Sequence, residues 1–488
     1  MQRLTSSGGT TRAPRPRGCP RPPTHGRPSS GCRAARYHHQ SASARAFLVI
    51  LVVVVVVVVT PSCSCFSQGA SGVGVGNFLE VGPLDGDLKP RSSTWLHKAD
   101  LIFVDNPVGV GYSYVEDDDG LLVTTDLQAA ADMTTLLKAL VKELATLQSS
   151  PLFIVAESYG GKYAATLGVS LVRAVRAGEL KLTLGGVALG DSWISPEDFA
   201  SSYGTLLLQV SRLDRNGADH ANKCGRSSMH DPSQELRETS HNLLMTNSYL
   251  KSPLLARDAQ VVRQQIAAGQ FKQAQATLNR MLSWIVVNSG HVDVYNFLLD
   301  AGMDPVAAGA SASSSPAPEY SRYLESKSVG DSIQEAMNGA IKQKLKIIPK
   351  DVVWQAQSYS VYNALINDFM KPRIQEVDEL LSYGVNVTVY NGQLDVICSA
   401  IGAEAWVEKL KWDGLKNFLA LPRQPLYCGS TEATKGFVRS YKNLRFYWIL
   451  GAGHFRRFDD DLQVPVDQPC IALDMIGNIT QSPALSRS

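Results

Sequence analysis

No acidic residue precedes Glu80, although the chain of 488 residues carries 45 Asp and Glu against 47 Lys and Arg. The near-balance, a formal charge of +2, gives no argument for nucleic acid or another strongly charged partner, and none is expected. The acid-free front is therefore a piece apart. Residues 1–45 are rich in Arg, Pro, Ser and Gly without apolar periodicity, and disorder is expected there. Long apolar runs are scarce too. The run at 46–59 has 14 residues and ends in eight consecutive valines. That is short of the ~20 residues a membrane helix needs, but it suits the hydrophobic core of a secretory signal. Small residues at 60–66 follow it as around a cleavage site. An Arg- and Ser-rich transit peptide would look similar. No stable membrane span is expected after processing. Cysteine is sparse in the body of the chain: of eight, Cys19, Cys32, Cys63 and Cys65 fall in this front part. No internal repeat is evident, and no metal or cofactor is expected.

What is present is a composition of 44% hydrophobic and 19% charged residues, enough for one large α/β domain with a cap. The stretch P-L-F-I-V-A-E-S-Y-G-G-K-Y at 151–163 reads as strand, sharp turn, helix. Ala156-x-Ser158-x-Gly160 is the G-x-S-x-G elbow with Ala in the first small position. Alone, the match could be a serine in an ordinary turn. Two more segments decide. V-N-V-T-V-Y-N-G-Q-L-D, at 385–395, is a β-branched run that ends just before Asp395. L-R-F-Y-W-I-L-G-A-G-H, at 444–454, is an aromatic-rich strand followed by small residues and His454. Ser158, Asp395, His454 is the chain order of α/β-hydrolase triads, and each residue follows a strand, where a doubly wound sheet puts its chemistry. Strands are expected at 101–104, 152–155, 182–189, 385–390 and 444–450, and helices at 125–147, 161–176 and 331–346. The backbone N–H of Tyr159, the residue after the nucleophile, is an oxyanion donor.

Together A-E-S-Y-G-G-K-Y, D-N-P-V-G-V-G-Y-S-Y (105–114), Y-N-G-Q-L-D and G-A-G-H resemble the serine carboxypeptidase family, from about Gly69 to the C-terminus. The likeness is greatest to plant serine carboxypeptidase-like proteins and the retinoid-inducible type. It implies an α/β-hydrolase fold, a mostly parallel mixed sheet with an inserted helical cap, that releases C-terminal residues from peptides or proteins through an acyl-enzyme at acidic pH. It implies that Glu80 and Glu157 share a proton and bind the substrate carboxylate. It places Gly69 at the oxyanion loop, and Asp105, Asn106, Gly109, Gly111 and Ser113 along the cleft. It also implies secretory entry and work in vacuoles, lysosomes or outside the cell. Cys398 and Cys428 flank a helix-like segment after Asp395 and are expected to form a disulfide, or to remain two buried thiols. Asn478 and Asn386 head glycosylation sequons; Asn386 sits in an expected core strand and is the poorer acceptor.

The chain departs from the family pattern in three places. The Gly-Gly-Pro-Gly oxyanion loop is absent, and its N-terminal strands are expected to be missing behind the valine tract. Residues 456–463 separate Phe455 from the Val464-Pro465 that ordinarily follows close after the histidine. A polar segment at 222–256 enlarges the cap. Retained introns or a wrong first exon would produce all three. The organisation expected is 1–66 as the basic segment with its signal-like run, 69–190 and 352–488 as the two parts of the hydrolase core, and 191–351 as the cap. Two rival readings use the same fold: an acyltransferase acting on glucose esters, and a secreted homologue impaired by an incomplete oxyanion hole.

Overall fold

The computed structural model describes residues 2–4, 49–52, 71–115, 119–214, 257–300, 329–429, 433–454 and 467–480. Gly69, the segment at 222–256 and the insertion at 456–463 lie outside the described residues. Among the described residues, nine strands make the main sheet: β1 (Gln2–Leu4), β2 (Val49–Val52), β3 (Asp100–Phe103), β4 (Pro151–Glu157), β5 (Thr183–Gly190), β8 (Val387–Gly392), β9 (Gln424–Tyr427), β10 (Thr434–Tyr441) and β11 (Leu444–Ile449). Strands β6 (Val292–Asp293) and β7 (Asn296–Asp300) form a separate hairpin.

The sheet order is β1-β3-β2-β4-β5-β8-β11-β10-β9. The run from β3 to β11 is parallel, and antiparallel pairs close both edges. Central parallel strands are covered on both faces, so they read as unbroken apolar runs rather than alternating ones. Leu152 to Ala156 are all buried for that reason. The edge pair β9 and β10 is largely half-exposed and carries little apolar signal, which is why no strand is expected there from sequence.

Within the apolar run at 46–59, four residues are described. Val49–Val52 is a strand in the sheet, parallel to both neighbours, with Val49 opposite Asp100 of β3 and Leu152 of β4. An apolar β-branched run suits the middle of a parallel sheet as well as it suits a signal sequence. N-terminal strands are expected to be missing, yet the position between β3 and β4 is filled from within the signal-like run.

Helix α1 (Asp126–Glu143) starts where Thr125 accepts a hydrogen bond from the Gln128 N–H at 3.2 Å, the usual N-cap arrangement. Its residues Ala129, Met133, Leu137 and Val141 are buried, a spacing of four that makes one face. That face packs on α2 (Gly160–Arg176), which in turn covers β4 and β5. The described residues between β5 and residue 351 supply α3 (Pro196–Gln209), α4 (Arg257–Ala267), α5 (Phe271–Asn288), the β6–β7 hairpin and a helical stretch at 329–345. That last stretch matches the helix expected at 331–346, but widens into a π-turn at Met337–Ile341.

A second wide helix, the π-helical segment Gly72–Val81, was not foreseen. Its G-V-G-V-G opening has no helical period, yet Ser71 caps it by accepting from the Gly74 N–H at 2.8 Å. Its last turn carries Glu80 into the interior.

Candidate active site

Strand β4 ends at Glu157, and Ser158 turns into α2 at a φ of 56°, a left-handed conformation that costs a non-glycine residue about 1–3 kcal/mol. The bonds around it hold that turn. The Ser158 N–H donates to the Gly190 carbonyl at 3.0 Å, and the Trp193 N–H donates to the Ser158 carbonyl at 2.9 Å. Gly161 has to be small, because a Cβ there would lie 2.1 Å from Ser192 Oγ. Below the elbow sits a buried knot of charges. Asp126 accepts from the Tyr159 hydroxyl at 2.7 Å and from Arg373 Nε at 2.9 Å. Lys162 Nζ lies 3.4 Å from the same carboxylate and donates to the Asp368 and Phe369 carbonyls. Burial draws the Lys162 ammonium down to about 8, against the attraction of Asp126. The residue that follows the nucleophile is thus clamped through its own ring.

The three residues singled out by chain order come together. Ser158 Oγ is 2.9 Å from His454 Nε2, and His454 Nδ1 is 2.7 Å from Asp395 Oδ2. An ionised carboxylate only accepts, so Nδ1 carries the proton and Nε2 is left to accept from the serine hydroxyl. Asp395 is wholly buried, and its Oδ1 accepts from the Cys398 N–H at 3.0 Å. The β6–β7 hairpin reaches back to brace the histidine: the His454 N–H donates to the Tyr295 carbonyl at 2.8 Å, and the two rings stack at 5.2 Å. The same hairpin binds the acid's loop, with the Val294 carbonyl accepting from Val396 and Ile397. Sequence reasoning missed Tyr295, because nothing local marks it. The Tyr159 N–H stands at the N-terminus of α2, the end of a helix that favours negative charge.

Glu80 and Glu157 are both buried and close enough to repel one another. Burial raises the Glu80 carboxyl from 4.5 to about 8, with Arg91 opposing. Burial, then repulsion from Glu80, holds the Glu157 carboxyl well above its usual range, although its Oε1 accepts from the Tyr390 hydroxyl at 2.9 Å. Gly190 makes room for that hydroxyl, since a Cβ would lie 2.2 Å from the Tyr390 ring. Among the described residues, Oε1 of Glu80 has no hydrogen-bond partner, though buried. A third buried carboxyl, Asp191, lies between Glu157 and Asp395 and interacts with both. It follows β5 directly, the same signal that marks Asp395, and could have been found that way.

One expectation, the disulfide, changes, and the cleft and glycosylation residues gain their surroundings. The Asp105 carboxylate holds its own loop: it accepts from Ser71 Oγ at 2.5 Å, from the Val73 N–H at 3.0 Å and from the Tyr112 N–H at 2.8 Å. Ser113 Oγ donates to the Asp105 carbonyl, and Gly109 and Gly111 take φ of 94° and 57° within the same turn, with Asn106 buried beside them. The disulfide is Cys428–Cys470, with Cα atoms 5.9 Å apart, and Cys398 is a buried free thiol. Cys398 faces the Asp395 side of the core, whereas Cys428 follows β9 and Cys470 opens the helix Pro469–Thr480. Asn386 is half-buried and donates to the Gly185 carbonyl at 3.0 Å, so it is a poor acceptor; Asn478 is exposed. Asp395, Cys398 and His454 have donor atoms within 4.8 Å of one another. Burial and the adjacent Asp395 and Asp191 keep the Cys398 thiol protonated, which disfavours it as a metal ligand.

A mostly parallel sheet with a strained serine elbow, and an acid and a histidine on later strand ends, defines an α/β-hydrolase. The same fold occurs in the solved structure of Kex1(delta)p, a prohormone-processing carboxypeptidase from Saccharomyces cerevisiae. That match has a TM-score of 0.64 at 19% identity and covers 89% of this chain and 83% of that one. The serine carboxypeptidase family model matches residues 68–482. Serine carboxypeptidase-like 51 of Arabidopsis thaliana is 51% identical over 86% of this chain and 84% of its own length. Retinoid-inducible serine carboxypeptidase of Rattus norvegicus is 42% identical over 85% and 82%. The chain belongs to the serine carboxypeptidase family and is a hydrolase.

Proposed function

We propose that this protein removes C-terminal residues from peptides, with Ser158 as nucleophile, His454 as general base and Asp395 as its orienting carboxylate. The observation that carries the reading is the unbroken hydrogen-bond line from Ser158 Oγ through the His454 ring to Asp395, at 2.9 and 2.7 Å. His454 takes the serine proton as Oγ attacks the scissile carbonyl, and Asp395 stabilises the imidazolium that forms. The Tyr159 N–H receives the developing oxyanion. The same proton then passes to the leaving amine, and water repeats the cycle to release the acyl group.

Glu157, one residue before the nucleophile, and Glu80 read the substrate's end. Two neighbouring buried carboxyls retain a proton, so one of them donates to the substrate carboxylate while the other accepts. Full ionisation replaces that bond with repulsion, and binding of a C-terminal carboxylate weakens as pH rises toward about 8, where Glu80 titrates. Keeping this pair, which reads a free C-terminal carboxylate, favours peptidase chemistry over acyl transfer from glucose esters. An acid-working site with a disulfide at Cys428–Cys470 fits the secretory route, ending in a vacuole, a lysosome or outside the cell; Asn478 is its glycan acceptor. Among the described residues no helix is long and apolar enough to cross a membrane.

The test is a pair of substitutions read on two substrates. Ser158→Ala abolishes hydrolysis of an N-blocked dipeptide with an unchanged melting temperature. Glu157→Gln raises KM for that peptide about 10- to 100-fold, as expected for a lost hydrogen bond to a charged group, and leaves an ester lacking a free carboxylate nearly unaffected. Parental activity in the Ser158 variant, or equal effects of Glu157→Gln on both substrates, refutes the assignment.

A further inference from the structure

We propose that Asp191 is a positioning residue for the triad: carrying a proton, it donates a hydrogen bond to Asp395 and turns that carboxylate onto His454. The inference rests on the triad reading above and adds a fourth residue to it.

Asp191 is the first residue beyond β5 and takes a φ of 39°, a left-handed turn that Asp and Asn tolerate better than other side chains. The turn aims it at the end of β8. Its N–H donates to the Tyr390 carbonyl at 2.8 Å. Its Oδ1 accepts from the Gly392 N–H at 2.7 Å and from Asn391 Nδ2 at 3.0 Å. Asn391 Nδ2 also donates to the Cys398 carbonyl, and the Cys398 N–H donates to Asp395. One network therefore fixes Asp191 and the loop of Asp395 together.

Within that network the carboxyls of Asp191 and Asp395 approach closely enough to act on one another, and the Asn391 amide and the Cys398 backbone join them. Two carboxyl groups bond to one another only with a proton between them, since ionised carboxylates accept and do not donate. Asp395 has to be the ion, because His454 draws on its charge. The proton belongs to Asp191. Burial, and after it the neighbouring Asp395 and Glu157, hold the Asp191 carboxyl well above its usual range, in the direction this assignment needs. Asp395 is then gripped on three sides: by the imidazole, by the Cys398 N–H and by Asp191.

The experiment compares Asp191→Asn with Asp191→Ala in the full chain, reading kcat and KM on a blocked dipeptide and on an ester, with melting temperatures alongside. Asn keeps an acceptor for the Gly392 N–H and offers Asp395 a permanent N–H donor, so its kcat stays within about threefold of the parent. Ala removes the donor, and kcat falls on the order of 10²-fold on both substrates, the effect of about 1 Å of misplacement, while KM is unchanged. A kcat for the Ala variant within about threefold of the parent overturns the proposal, as does an Asn variant as slow as the Ala one. If the Ala variant does not fold, the Asn variant decides: retained kcat supports the donor role and lost kcat refutes it. Ser158→Ala is run in parallel, because activity surviving there defeats the triad reading itself, whatever the Asp191 variants do.

Discussion

Raising the pH should destabilise this protein through Glu80. Its carboxyl titrates at about 8 in the fold and at the ordinary 4.5 when exposed, with burial as the larger cause. Between those values the folded chain holds a proton that the unfolded chain has released. The unfolded state then binds fewer protons, and stability falls with rising pH. The contribution is complete below about pH 4.5 and gone above about 8. At about 1.4 kcal/mol for each unit between the two values, the loss is on the order of 5 kcal/mol, comparable to the whole stability of a modest domain. Glu157 and Asp191 are raised for the same reason and add to the slope. Lys162 acts the other way, since a lowered amine gains stability with pH, but only above about 8. Equilibrium denaturation from pH 4.5 to 8 measures the effect, and Glu80→Gln, isosteric and uncharged, should remove much of it. A parent with flat stability across that range refutes the reasoning, and so does a Gln variant that keeps the parental slope.

Cys470→Ser opens a cross-link that spans 42 residues, and chain entropy puts the loss at about 4 kcal/mol; a non-reduced peptide map that joins Cys428 to Cys398 instead would contradict the pairing. Asp126→Asn removes the carboxylate shared by the buried Arg373 and Lys162 and leaves Asp368, already paired with Arg373, to face both cations, a loss of up to about 3–5 kcal/mol. Denaturant midpoints check it, and a change under about 1 kcal/mol would mean that the knot does not hold the elbow.

How much could be read from sequence depended on whether a signal was local. Ser158, Asp395 and His454 each follow an apolar strand, so the turn chemistry and chain order exposed them. The charge knot could not be seen, because Asp126, Lys162, Asp368 and Arg373 are polar residues scattered through the chain, and only the packing of α1 on α2 brings the first two together. Cysteine spacing does not determine connectivity; burial of Cys398 beside Asp395 does. The apolar run at 46–59 is ambiguous for a different reason. A short apolar β-branched run is equally at home in a signal sequence and in a doubly covered parallel strand, and periodicity does not separate the two.

The four buried carboxyls connect what sequence order keeps apart. Glu80 comes from the π-helical segment, Glu157 from the end of β4, Asp191 from the end of β5 and Asp395 from beyond β8, yet neighbours along this series sense one another. A buried carboxylate is stable only beside a counter-charge or dense donors, and in this series His454 offers such a partner to Asp395 alone. The others are held above the usual carboxylate range, which in the roles proposed above turns acceptors into donors, toward a substrate carboxylate at one end and toward Asp395 at the other. On that proposal, burial would equip recognition and catalysis by one means. Adding exposure at any of the three neutral members, by opening the fold or enlarging a neighbouring cavity, would return it to the ion and set it against the rest of the series.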